Sequence, residues 1–165
     1  MTYDSLLTSL DRSVTKLVQL VSQVDEDFYD GHQTSREMLS HLVFWHREYV
    51  AITEALVNGR SPHLRQSTFI ALNARSVREF QRLSMAQLCQ DFLKYQQALR
   101  DNLCQLYDWE IEFPVKKGCR WATVPERLQI IQEHVDGHLA RLERACRHGE
   151  AWVEAYYPSR DQAHA

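Results

Sequence analysis

The sequence predicts an all-α protein: a four-helix bundle with a helical crossover between the second and third long helices. Three observations carry this. Apolar residues recur at steps of three and four over most of the 165 residues, the spacing of one buried helix face. Paired Ser/Thr and Glu/Gln residues three apart mark helix starts. Glycine (5) and proline (4) are scarce, so turns are few and helices long.

The first helix runs from Tyr3 to about Val24, with Leu6, Leu10, Val14, Leu17, Val21 and Val24 as a narrow stripe suited to bundle packing. A polar loop, Asp25 to Gln33, follows. Thr34 and Glu37 form a capping box for the second helix, with Ser35 as the competing cap. Met38, Leu42, Trp45, Tyr49, Ile52 and Leu56 make its inner face, and Asn58-Gly59 its stop. Arg60 to Gln66 is a loop, and Thr68 to Arg82 a less regular helical crossover. Ser84 with Gln87 opens the third long helix, striped by Leu88, Phe92, Tyr95, Leu99, Leu103 and Leu106. From Trp109 to Ala122, Ile111, Phe113 and Val115 alternate with charged residues. A short extended excursion is compatible with that pattern, but Pro114 and Gly118 favour a long loop. Thr123 and Glu126, with Pro125 in the first turn, start the last helix. It runs to about Arg147, burying Leu128, Ile131, Val135, Leu139 and Leu142, and ends at His148-Gly149. The bundle thus occupies residues 1–149. A tail, 150–165, begins as a short helix with Trp152 and Tyr156 and frays after Pro158.

Such a chain is long enough for one domain with a proper core. Its net charge of −3 and scattered basic residues argue against nucleic acid as a partner. No apolar run approaches membrane-spanning length, and the start Met1-Thr2-Tyr3-Asp4 lacks a signal-peptide pattern. A cytoplasmic protein without a membrane partner is expected. Cys89, Cys104, Cys119 and Cys146 are widely spaced with no C-x-x-C, which reads as reduced structural thiols.

Chemistry concentrates in Glu133-His134-Val135-Asp136-Gly137-His138. His134 and His138, four apart, stack on one helix face and can share a divalent metal. Val135 stands where the zinc-protease motif needs its glutamate, so that chemistry is excluded. At roughly 100° per residue, His138 lies within about 40° of the centre of the apolar face and His134 about 80° away. Both point to the bundle interior or its rim. A catalytic metal takes three protein ligands, and His41, on the flank of the second helix, is the candidate third. Three imidazoles from two facing helices suit Zn, Ni or Fe and leave positions for water and substrate. Taken singly, each histidine reads as a structural residue before a ligand; the i,i+4 pair on the core side brings the two readings level, and His41 on the facing helix tips the balance toward a ligand set.

The other residues weigh less. His46 points well away from His41 and reads as a surface residue. Glu48, two turns beyond His41, reads as a boundary salt-bridge partner before an acceptor for an imidazole N–H. Arg127 is a weak helper candidate, and Trp45 and Tyr49 an apolar wall. Cys119 lies among Lys116, Lys117 and Arg120, read as a solvated basic loop rather than an activated thiol.

Ser35-Arg36-Glu37-Met38-Leu39-Ser40-His41-Leu42-Val43-Phe44-Trp45-His46, followed by His134-x-x-x-His138, resembles the DinB/YfiT-like superfamily over roughly residues 3–147. Leu39 to His46 with Leu72-Asn73-Ala74-Arg75 is similar to its ClbS/DfsB branch. The resemblance implies a four-helix bundle, often a homodimer, with a divalent metal held at His41, His134 and His138. It also implies small-molecule chemistry in detoxification or stress response. Relatives include thiol-S-transferases using bacillithiol or mycothiol, a maleylpyruvate isomerase and hydrolases of a reactive cyclopropane; others have no assigned activity. Two readings follow. One is a metal-dependent enzyme acting on an electrophilic small molecule, with a low-molecular-weight thiol as cosubstrate in the transferase case. The other is a non-catalytic protein that sequesters an apolar ligand or docks a stress-response partner, through Trp152, Tyr156 and Tyr157 in the tail.

Overall fold

A computed structural model describes residues 2–156, with side chains through residue 149. It comprises α1 (Tyr3–Val21), α2 (Ser35–Val57), α3 (Phe69–Glu79), α4 (Met85–Gln105), β1 (Glu112–Phe113), β2 (Ala122–Thr123) and α5 (Val124–Tyr156). The all-α bundle is present, with α3 as the helical crossover.

The starts follow the capping chemistry. Thr34 Oγ1 accepts from Glu37 N at 3.2 Å while Glu37 Oε2 accepts from Thr34 N at 2.9 Å. Ser84 and Gln87 exchange the same pair of bonds at 3.1 and 2.8 Å. Glu126 Oε2 accepts from Thr123 N at 2.9 Å, returned by Glu126 N to Thr123 Oγ1 at 3.4 Å. Each box satisfies two backbone donors that the first turn leaves unpaired. Two of the breaks fall at glycines with positive φ, Gly59 (φ 65°) after α2 and Gly149 (φ 73°) within α5, a region that L side chains rarely adopt. At Gly149 the helical path is broken, so residues 150–156 form a separate helical piece. The side chains of Trp152 and Tyr156, and all of residues 157–165, where the tail is expected to fray, lie outside the described residues.

Two elements are shorter than expected. α1 ends at Val21 and α3 at Glu79; beyond them Gln23 N bonds Leu20 O and Leu83 N bonds Phe80 O, tight turns that bury Phe80 without continuing the helix. The Trp109–Ala122 segment is a correction. It is a loop in its middle, but its ends pair as an antiparallel ladder, Glu112 with Thr123 and Phe113 with Ala122. Burial on one side explains this: Phe113 and Ala122 are 3% and 0% exposed, and Arg127 Nη2 donates to the carbonyls of Phe113 (3.0 Å) and Arg120 (2.9 Å).

Close packing joins α2 to α4, α4 to α1 and α1 to α5, with α3 laid against α2. Leu10, Val14, Leu17, Phe44, Phe92, Leu99 and Val135 fill the centre and are fully buried. The fourth seam, between α2 and α5, lacks comparably close backbone approach. Long side chains bridge it, and the candidate site lies there. Among the described residues no helix is long and apolar enough to cross a membrane.

Candidate metal centre

α2 is buried almost all round, since every residue from Met38 to His46 is buried. Its histidines therefore enter the interior on opposite sides. His41 (5% exposed) faces the α2–α5 seam. His46 (1% exposed) faces α4, where its Nε2 lies 3.0 Å from Gln96 Oε1. The expectation of a surface His46 is corrected: Leu39, Val43 and Phe44 lie off the assumed apolar face and are buried too, so no side of this turn meets solvent.

Across the seam, α5 presents His138 buried and His134 exposed at the rim, as their angles from the apolar centre imply. His138 Nε2 lies 3.0 Å from His41 Nε2 and 3.0 Å from His134 Nε2. Nitrogens of the three rings all lie within 4.8 Å of one another. The sequence-predicted trio is thus brought together by two helices whose residues are 97 apart in the chain.

Ring electrostatics suit lone-pair donation. Burial first, then the neighbouring His134, pushes His41 down to about 3. Burial, then His41 and His134, pushes His138 down to about 2. His134 is lowered by burial and by Arg141. All three are neutral at physiological pH, the form that ligates metals. A four-coordinate metal about 2.0–2.1 Å from each nitrogen sets them about 3.3 Å apart. The two short separations are near that value, and the third, between His41 and His134, lies within 4.8 Å. The donor set therefore fits a divalent metal of borderline softness.

Two cavities flank the trio. One, of about 270 Å³, is walled by Trp45, Tyr49, Phe69 and Ile131 and reaches His134 and Arg127. The other, of about 370 Å³, touches His41, Gln33 and Asn73. The crossover builds both: Asn73 Oδ1 accepts from Trp45 Nε1 at 2.8 Å, and Phe69 stands 5.3 Å from the Trp45 ring. Tyr49, pushed up to about 12 chiefly by burial, stays a neutral phenol that can donate a hydrogen bond into the cavity.

The lesser candidates resolve as follows. Glu48 pairs with Arg65 at 3.0 Å and approaches Arg47 at 3.8 Å, so it is the salt-bridge partner. Arg127 is buried and ties β1 and its loop to α5 while lining the cavity walled by Trp45 and Tyr49. Cys119 Sγ accepts from Val115 N at 3.3 Å, a turn-stabilising role. Gln33, which the sequence did not single out, touches His138 Nδ1 through its amide nitrogen at 3.2 Å. Its place in a polar loop carried no periodic signal.

No protein-family model and no curated protein matches this chain. Solved structures do. A mycothiol-dependent maleylpyruvate isomerase superposes with a TM-score of 0.70 at 15% identity, covering 86% of this chain and 61% of its own. This chain thus spans about three fifths of that enzyme. An uncharacterised protein from Escherichia coli UTI89 superposes at 0.71 and 15% identity over 88% of this chain and 94% of its own. One from Clostridium difficile 630 does so at 0.71 and 13% identity, over 91% and 100%. At these identities the likeness is one of fold, and the fold is the DinB-like four-helix bundle.

Proposed function

We propose that this chain is a small metal-dependent enzyme of the DinB/YfiT-like superfamily, in its ClbS/DfsB-like branch. It acts on a reactive electrophilic small molecule by thiol transfer or hydrolysis, in detoxification or stress protection. The observation that carries this reading is the convergence of His41, His134 and His138 beside an apolar cavity. Three neutral imidazoles on two helices form a donor set for Zn, Ni or Fe. A divalent metal bound there supplies the Lewis acidity that lowers the pKa of a coordinated water or thiol toward neutrality. The chain's own residues do the rest. Trp45, Tyr49 and Phe69 exclude water around an apolar substrate body, and the Tyr49 phenol offers it a hydrogen bond. The isomerase of like fold is mycothiol-dependent by name, which supports a low-molecular-weight thiol as cosubstrate here. A cytoplasmic homodimer completes the proposal.

The test is turnover of an epoxide and of a chloronitroaromatic, with and without mycothiol or bacillithiol, by metal-loaded protein. Turnover that disappears in His134→Ala, with an unchanged melting temperature, supports the assignment; equal turnover in that variant overturns it. The apolar cavity walls favour one alternative, a ligand-sequestering protein. Stoichiometric binding of an apolar ligand that chelators leave untouched would select it.

A further inference from the structure

Gln33 sits at the end of a turn built to hold it. Tyr29 and Thr34 pair as an isolated β-bridge. Asp30, 2% exposed, accepts from His32 N at 2.8 Å and Gln33 N at 3.0 Å through one carboxylate oxygen. Asp30 N returns a bond to Gln33 O at 3.1 Å. The backbone is therefore fixed, immediately before the Thr34 cap of α2. From there the Gln33 side chain crosses the α2–α5 seam to His138, 105 residues away.

At His138 the Gln33 amide lies 3.2 Å from Nδ1, across the ring from the Nε2 that meets His41 and His134 at 3.0 Å. Gln33 is thus placed to fix the ring and to decide which nitrogen carries its hydrogen.

A histidine that ligates through Nε2 must carry its hydrogen on Nδ1 and give it to an acceptor. A primary amide presents either group from nearly the same place. We propose that Gln33 is the positioning residue for His138, its amide turned so that Oε1 accepts Nδ1–H when a metal is held at Nε2. This inference rests on the three-histidine metal site proposed above.

The test uses full-length protein, prepared metal-free and titrated with Zn²⁺, with ¹⁵N shifts of the His138 ring followed by NMR. Hydrogen on His138 Nδ1 is expected in the zinc-loaded protein. Gln33→Leu, which keeps the backbone turn, should bind zinc about 10–100-fold more weakly at an unchanged melting temperature. Gln33→Glu, a permanent acceptor, should bind at least as tightly as the parent. Hydrogen absent from His138 Nδ1 in the zinc-loaded protein, or parental zinc affinity in Gln33→Leu, overturns the role of Gln33 while leaving the metal site standing. Absence of zinc binding in the parent overturns both.

Discussion

His46 offers a stability prediction that does not depend on any metal. Its ring is buried against Phe92 and Gln96, with ring centroids 4.7 Å apart in the first case. Burial drives it down to about 4, opposed by the bonds to Gln96 and the Leu42 carbonyl. The ordinary value is 6.5, which the unfolded chain recovers. The folded state thus binds fewer protons, so stability is fully present above pH 6.5 and is lost as the pH falls toward 4. Between pH 7 and pH 5 this single group removes about 2 kcal/mol, at roughly 1.4 kcal/mol per unit. In His46→Leu that component should vanish. The variant carries a separate, pH-independent cost of about 1–3 kcal/mol, because Gln96 Oε1 loses its donor. Gln96 itself stays oriented, since its amide nitrogen donates to Asp11 Oδ1 at 2.7 Å. Urea unfolding of chelator-treated parent and variant at pH 7 and pH 5 measures both. The parent should lose about 2 kcal/mol more than the variant over that interval. Equal losses would refute the buried neutral His46.

Three further expectations follow from the packing. Phe92→Ala, at a fully buried centre of α4, should cost about 3–5 kcal/mol in denaturant unfolding; a loss below 1 kcal/mol would mean α4 is not packed as described. Thr34→Ala removes one bond of the α2 capping box and should cost about 1 kcal/mol. Because Gln33 precedes it, zinc affinity measured in the same variant reports whether the cap also orders the site. Glu48→Gln breaks the pair with Arg65 and should cost on the order of 1–3 kcal/mol. It should leave zinc affinity within a factor of a few, and a tenfold change in affinity would return Glu48 to the site.

The contrast between His41 and His46 marks how far the sequence could be read. Helix starts were legible because a capping box is a local reciprocal pair, and Thr34–Glu37, Ser84–Gln87 and Thr123–Glu126 all form it. The trio was legible because i,i+4 spacing fixes relative direction within α5, and because one flank of α2 had to face a partner. His46 was misread by assigning α2 a single apolar face. Leu39, Val43 and Phe44 on its other sides were the signal that this turn is enclosed. Gln33 was invisible for a different reason. Its relation to His138 is made by a nonperiodic turn and spans 105 residues, so no local rule reports it. The β1–β2 ladder lies between these cases: the alternation of Ile111, Phe113 and Val115 was visible, but the pairing depended on Arg127 gathering the two carbonyls.

The central claim is that His41, His134 and His138 act as one metal site. Elemental analysis of protein purified without a metal-affinity tag tests it most directly, beside the triple variant His41→Ala, His134→Ala, His138→Ala. The account predicts close to one divalent metal per parent chain and none in the variant. Metal absent from both, with none taken up on addition to the parent, would contradict it.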